Sequence, residues 1–353
     1  MTDAGIDDVD RAIVAAFQRG FPVVQRPFEP AAHALRSQGV TVDAATFVAR
    51  VERLLAGGTL TRFGPVVDAD AIGGRATLAA MHVPAPEFDS VVAAVNDHRA
   101  VVESHEFEGA RLNLWFSLAA ADPTRVAETL DAVAAETGYR PHALPATTTF
   151  RDDATLPVDD TLAVDVDLSD LGPNPKPTDA TGLTAAERTL LAALGDGLPL
   201  SETPYRDVAA RIERDPEWVV ETLRRLNVEG KIGRVGAVVD PRALGYTANA
   251  TAAWDVPADA VAAVGDALAD CDAVRCCHER EPPDSSWPYN VYASVLARTP
   301  EERRERVERA GAAVAVRADV PDERVTLDET RTLKRTGFRL AAHPLSAADA
   351  GEP

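Results

Sequence analysis

One phrase occurs twice in this chain. Residues 62–74 read RFGPVVDADAIGG and residues 234–246 read RVGAVVDPRALGY, so that R-x-G-x-V-V-D-x-x-A-[IL]-G recurs in register. The flanks repeat with it: FVARVERLLAGGTL precedes the first phrase and WVVETLRRLNVEGKI the second. A duplicated module is therefore the main constraint on the fold. At 353 residues and 46% hydrophobic content, the chain is too long for one ordinary core and long enough for two to four small ones.

Each copy carries the same series of signals. Phe47, Val48, Val51, Leu54 and Leu55 follow helical spacing, as do Trp218, Val219, Thr222, Leu223 and Leu226, so both flanking segments are helices with one buried stripe. Gly57 and Gly230 end them, and a wing strand follows. Two shorter helices lie upstream in each copy, at 9–18 and 30–37 and at 185–194 and 205–213. Three helices and a strand wing predict a winged helix-turn-helix. Downstream come a strand (77–83; 248–256), a helix after Val-Pro (87–96; 258–269), a central strand, a strand with an aromatic cluster (112–119; 289–296), a helix (124–137; 300–315) and a last strand. That is the ferredoxin-like βαββαβ order. The fold class expected is α+β: a tandem duplication of a winged helix-turn-helix plus a ferredoxin-like domain. The boundaries expected are 1–63 and 64–150 for the first copy, an Asp-, Pro- and Thr-rich linker at 151–182, 183–235 and 236–343 for the second copy, and a tail at 344–353. The two halves are expected to pack as an intramolecular pseudo-dimer.

Charge narrows the function classes. The formal net charge is −20, and the only lysines are Lys176, Lys231 and Lys334, so nearly all cations are arginine. Such an acidic, lysine-poor composition resembles that of proteins from extreme halophiles. It argues against strong non-specific nucleic-acid binding, which depends on cations neutralising phosphates. The first residues are acidic and amphipathic, and no apolar run reaches membrane-spanning length, so a cytoplasmic protein without membrane association is expected. Three cysteines, two of them adjacent, fit no disulfide framework. Cys276-Cys277-His278 lacks the spacing to chelate a tetrahedral ion from one short segment, so no protein-bound metal is expected.

Two clusters carry a family resemblance. The first copy has His105-Glu106-Phe107 followed by Asn113-Leu114-Trp115-Phe116. The second has Cys276-Cys277-His278-Glu279-Arg280 followed by Trp287-Pro288-Tyr289-Asn290-Val291-Tyr292. With RGFPVVQRPF near the start, its partial echo DGLPLSETPY, and TRTLKRTG at 330–337, these segments resemble the signatures of the two subunits of the siroheme decarboxylase family, within the Lrp/AsnC-like proteins. The resemblance spans both modules apart from the linker, and W-P-Y-N is its most specific element. It implies loss of carbon dioxide from two acetate side chains of siroheme in alternative haem biosynthesis, with both subunits fused in one chain. No cofactor is implied, because the iron belongs to the substrate and the macrocycle can accept the electrons released.

The protein's jobs are then to hold a polyanionic tetrapyrrole, desolvate the leaving carboxylate and deliver a proton. Candidate catalytic residues are His105, His278 and Cys276. Candidate substrate-binding residues are Arg111, Asn113, Trp115, Arg280, Trp287, Tyr289, Asn290, Arg331 and Lys334, the arginines for carboxylates and the aromatic residues as flat walls. The family pattern is not met throughout. Its histidine falls on Cys276 in the second copy and its tyrosine on His278, while in the first copy its arginine falls on Gly109, with Arg111 as the substitute. Each candidate has a plainer reading too. His105, in a polar stretch, also suits an ordinary surface histidine, and axial contact of either histidine with the substrate's iron is a further reading; alternation sends one of Trp115 and Phe116 to the core, and Arg331, Lys334 and Arg335 equally suit ion pairs with nearby acids. The alternative function is an Lrp/AsnC-type transcription regulator responding to a small ligand. Against it, Asp215 and Glu217 open the second recognition helix and Asp43 the first; Arg224, Arg225 and Arg234 speak for it.

Overall fold

The computed structural model describes residues 6–153, 155–158, 182–318 and 320–340. In chain order its elements are α1 (Asp8–Phe17), α2 (Phe28–Ser37), α3 (Ala44–Ala56), β1 (Leu60–Val67), β2 (Arg75–Met81), α4 (Phe88–Asp97), β3 (Val101–Glu108), β4 (Leu114–Ala120), α5 (Pro123–Thr137), β5 (His142–Leu144), β6 (Ala146–Asp152), α6 (Ala185–Ala193), α7 (Pro204–Arg211), α8 (Pro216–Val228), β7 (Ile232–Val239), β8 (Ala250–Trp254), α9 (Val261–Ala269), β9 (Cys276–Arg280), β10 (Val291–Val295), α10 (Pro300–Arg317) and β11 (Arg324–Arg335). They sort into two compact units by kind rather than by copy: both helix-turn-helix parts make one unit and both ferredoxin-like parts the other.

In the helical unit, α1 and α6 each start on a capping box, Asp7 with Asp10 and Thr184 with Glu187. The acid of that box also ties the first helix of each copy to the third. Buried Asp10 pairs with Arg50 and Arg53, and buried Glu187 pairs with Arg225. The expected β-wings are replaced by something else. β1 and β7 pair with each other, antiparallel, with the equivalent glycines Gly64 and Gly236 opposite one another. The hydrogen bonds obey the same two-fold relation, since Asp68 N donates to the Lys231 carbonyl and Asp240 N to the Thr59 carbonyl, both at 3.0 Å.

Two glycines are required at that crossing. A Cβ on Gly236 would collide with the Phe17 carbonyl oxygen, and one on Gly64 would lie 2.9 Å from Leu198 N. The Gly-Phe-Pro and Gly-Leu-Pro segments therefore sit against the other copy's strand. Phe21 packs edge-on against Phe63 at 4.8 Å and Phe17 at 5.5 Å, and the Tyr205 hydroxyl donates to the Pro22 carbonyl across the copies at 3.1 Å. In this chain the motif locks the two copies together.

In the second unit the strand order is β5-β2-β4-β3-β11-β8-β10-β9-β6. Each copy contributes four strands in ferredoxin-like order, and its last stretch crosses to the other copy. β11 pairs with β8 through Arg324–Asp328 and then with β3 of the first copy as far as Arg335. β5 pairs with β2, and after Pro145 the chain continues as β6 along β9 of the second copy. The two ends of the strand series are thus consecutive pieces of chain, and the sheet closes on itself. Helices α4 and α5 cover the first copy's outer face, over Ala79, Phe116 and Leu118; α9 and α10 cover the second's, over Trp254, Cys277 and Val291. Inside the closed sheet Trp115, Trp287, Tyr292, Leu112, Leu144 and Leu327 form one core cluster.

Some expected boundaries change. Cuts at 63/64 and 235/236 fall inside β1 and β7, and the cut at 150/151 falls inside β6. In each case the strand is completed by a partner from the other copy, which no local pattern records. The linker expected at 151–182 lies outside the described residues from 159 to 181, as does the tail at 344–353.

Asn113 and Asn290, expected to bind substrate, each bond both backbone groups of one valine. Asn113 Oδ1 accepts from Val83 N at 2.8 Å while its Nδ2 donates to the Val83 carbonyl at 2.9 Å. Asn290 does the same to Val256, at 2.9 and 2.8 Å. Each amide holds the Val-Pro exit from the first strand, where the chain leaves the sheet and has no ladder partner.

Asn113→Ala is expected to strand both Val83 groups and cost about 1–3 kcal/mol in urea unfolding. Gly236→Ala is expected to cost about 1–3 kcal/mol by forcing β7 from Phe17; Gly233→Ala, on the same strand, where a Cβ would meet only the Val66 carbonyl oxygen at 3.9 Å, serves as its control in the same assay.

Candidate functional site

β3 and β9 face the barrel interior with alternate residues. On β3, Ser104 points outward, bonded to Asn96 of α4, while His105 points inward. On β9, Cys277 packs outward under α9, which leaves Cys276, His278 and Arg280 on the inner side. The ladders show which residues correspond. His105 lies opposite Trp115 and His278 opposite Tyr292, at matching places in β4 and β10. On the other side, Thr332 of β11 faces His105 and Thr149 of β6 faces His278. His278, not Cys276, is thus the structural counterpart of His105. Cys276 occupies the place of Glu103, and Arg280 that of Phe107.

The two histidines have opposite electrostatic settings. His105 Nδ1 is 3.1 Å from Glu329 Oε1, and its Nε2 is 3.8 Å from Glu103 Oε2. Burial works against the charged ring, but the two carboxylates outweigh it and raise its pKa to about 9. Glu329 and Glu103 are held below their ordinary range, since the His105 interaction overcomes the burial that would raise them; Arg335 adds to the effect on Glu103. Glu329 also accepts from Thr332 at 2.7 Å, Asn249 at 3.1 Å and Arg242 at 3.4 Å. His278, by contrast, is lowered by burial and by the nearby Arg280, and its Nδ1 lies 3.2 Å from the Thr149 hydroxyl.

Arg280 is itself shifted down by burial and donates to the Leu144 carbonyl at 2.8 Å. Burial and the Asp152 charge push the Cys276 thiol up to about 11, so it is protonated at neutral pH and its Sγ donates to Asp152 Oδ1 at 3.5 Å. Asp152, Cys276 and His278 each bring one possible ligand atom within 4.8 Å of the others.

The aromatic candidates form one chain across the interior. Phe107 touches Trp115 at 6.1 Å, Trp115 touches Trp287 at 5.7 Å, and Trp287 touches Tyr289 at 5.0 Å between ring centres. Trp115 and Trp287 are buried, and their Nε1 groups donate to the Leu112 carbonyl and the Tyr292 hydroxyl. They pack against each other rather than standing as open walls. Arg111 is exposed at the end of the loop between β3 and β4, bonded to Ser286 at 2.7 Å.

Arg331 and Lys334 do not join this group. Arg331 lies over the Phe88 ring and pairs with Glu106 and Asp89, and Lys334 donates to the Asn96 and His98 carbonyls at the end of α4. Both face the helices. The β11–β3 ladder shifts register between Glu329 and Arg331 and again between Thr332 and Lys334. These irregularities break alternation, so Glu329 points to His105 while Arg331, two residues on, points away. Sequence reasoning missed Glu103, Glu329, Arg242, Asn249, Thr149 and Asp152. Two-residue spacing from His105 was a signal for Glu103; the others arrive from strands or turns distant in sequence.

Residues 187–232 match the model of the siroheme decarboxylase NirDL-like HTH domain, and residues 243–334 that of the AsnC-like ligand binding domain. A siroheme decarboxylase NirDL subunit of Paracoccus denitrificans (strain Pd 1222) is 32% identical over 341 residues, which cover 95% of this chain and 98% of that one. A siroheme decarboxylase NirG subunit of Paracoccus pantotrophus is 45% identical over 133 residues, 38% of this chain and 81% of that one. The crystal structure of a siroheme decarboxylase NirDL in co-complex with an iron-uroporphyrin III analogue superposes with a TM-score of 0.66 at 22% identity, covering 94% of each chain, which shows a shared fold. Matched from end to end by a relative of this similarity, and built on the same two domain types, the chain belongs to the siroheme decarboxylase family.

Proposed function

We propose that this chain is a carboxy-lyase that removes carbon dioxide from two acetate side chains of siroheme, giving didecarboxysiroheme in alternative haem biosynthesis. The observation that carries the reading is the 32% identity to a siroheme decarboxylase NirDL subunit across 98% of that relative's length. In this reading a C–CO₂⁻ bond of an acetate breaks, its electron pair passes into the conjugated macrocycle, and a proton is placed on the carbon left behind as a methyl group. No separate cofactor is needed, since the substrate supplies both the electron sink and the iron. His105 is the proton donor. Its paired carboxylates keep it charged at neutral pH, and the carbon that receives the proton is far more basic than an imidazole. Arg280, half-buried beside His278, supplies positive charge to a substrate carboxylate.

The regulator reading is weaker. Arg224, on the second recognition helix, donates to the Val23 carbonyl at 2.9 Å, and Arg225 pairs with Glu187 and Glu229. These guanidinium groups are held by the protein's own acceptors, which supports reading the helices as scaffold rather than as a DNA-binding surface.

Anaerobic incubation of the chain with siroheme in high salt, followed by mass analysis, is expected to show loss of two carbon dioxide units; siroheme bound but unchanged would overturn the enzyme reading in favour of a tetrapyrrole-responsive regulator. Activity is expected to hold through neutral pH and to fall as the pH rises through about 9, where His105 loses its proton. Glu329→Gln removes one of the carboxylates that raise that value, so the fall is expected at lower pH; an unmoved profile would exclude His105 as the titrating group. The same contacts add folding stability that is complete below the ordinary histidine value of 6.5 and is lost as the pH rises through about 9, which melting curves of wild type and His105→Gln will compare.

A further inference from the structure

We propose that Asp152, Cys276 and His278 form a binding site for a thiophilic divalent cation, zinc or cobalt, on the inner side of the second copy's sheet. The proposal is independent of the decarboxylase reading. Cys276 and His278 are two residues apart on β9 and share its inner face, and Asp152 stands opposite Cys276 on the neighbouring β6. Their ligand atoms lie within 4.8 Å of one another, and the sulfur-to-carboxylate distance is 3.5 Å. Bond lengths of about 2.0–2.3 Å place the ligand atoms of a tetrahedral ion roughly 3.3–3.8 Å apart, so only small side-chain movements are needed.

The duplication supplies an internal control. The same corner of the first copy holds Glu103 and Arg335, again opposite each other on the ladder, with Arg335 Nε 3.7 Å from the Glu103 carboxylate. That copy carries its own cation there. In the second copy the arginine's place is taken by Asp152 and the glutamate's by Cys276, while the histidine remains. An arginine–carboxylate pair has been exchanged for a carboxylate and a thiol, whose ligand atoms lie within 4.8 Å of one another and of the histidine's. The thiol proton passes to solvent when the metal–sulfur bond forms.

The donor set selects the kind of ion. Arg275 and Arg280 lie close by, held by the Thr155 and Leu144 carbonyls, and their charge opposes every divalent cation alike, so the Cys276 thiolate and the Asp152 carboxylate must offset it. A thiolate and an imidazole favour zinc or cobalt over magnesium or calcium. With Nδ1 hydrogen-bonded to the Thr149 hydroxyl, the His278 ring is oriented to bind through Nε2, the usual outer support of a metal-bound histidine. Three protein ligands leave a fourth position for water or another ligand. Spacing within Cys276-Cys277-His278 argues against chelation by that segment alone, and the third ligand comes from β6.

The test is titration of the full-length chain, freed of metal with a chelator, with Co²⁺ under reducing conditions. One cobalt per chain is expected, with a near-ultraviolet thiolate-to-cobalt absorption that Zn²⁺ bleaches. Cys276→Ser should abolish that absorption, and Asp152→Asn, which changes one atom at an exposed position, should weaken binding at least tenfold. Thr149→Val should weaken it about 10–100-fold. Cys271→Ser should leave it intact, and circular dichroism melts of each variant separate lost binding from lost folding. Absence of stoichiometric cobalt, or a thiolate band that survives in Cys276→Ser, would overturn the proposal.

Discussion

The ferredoxin-like unit depends on an exchange of strand ends. In a four-stranded ferredoxin-like sheet the second strand lies at an edge, with a row of unpaired N–H and C=O groups. Here those edges are β3 and β9, and each is covered by the end of the other copy's last strand, β11 on β3 and β6 on β9. Backbone hydrogen bonding therefore joins the copies, and it does so beside the two histidines. Removing either crossing stretch would open a ladder and also withdraw polar groups from one histidine: Glu329 and Thr332 from His105, or Thr149 and Asp152 from His278.

The pairing explains why the halves can diverge while the fold remains symmetrical. Asn113 and Asn290 hold equivalent Val-Pro exits with equivalent bonds, and Gly64 and Gly236 meet at the β1–β7 crossing. The inner faces differ. Glu103, His105 and Arg335 in one copy correspond to Cys276, His278 and Asp152 in the other; the carboxylates Glu103 and Glu329 raise the pKa of His105, whereas burial and Arg280 lower that of His278. Backbone pairing places the side chains, and charge then sets what each place can do.

The family motifs combine scaffold and site. The Gly-Phe-Pro segment, the paired asparagines and the buried tryptophans are accounted for by packing and backbone hydrogen bonds. Of the basic run at 330–337, Arg331 and Lys334 serve the helix-covered face, while Thr332 and the preceding Glu329 serve the interior. Residues adjacent in a motif are separated here by the thickness of a sheet, because a bulge in β11 changes the phase of alternation.

The duplication, the three helices of each helix-turn-helix part, the βαββαβ order and the positions of both histidines were legible in the residues alone, because helical stripes, capping residues and strand alternation are local properties. That β1 and β7 pair with each other, that β6 and β11 cross between copies, and that Glu329 reaches His105 while Asp152 reaches Cys276 and His278 emerged with the folded chain. Those outcomes rest on hydrogen-bond ladders between segments far apart in the chain, whose register is fixed by long-range packing and bulges rather than by the residues on either side.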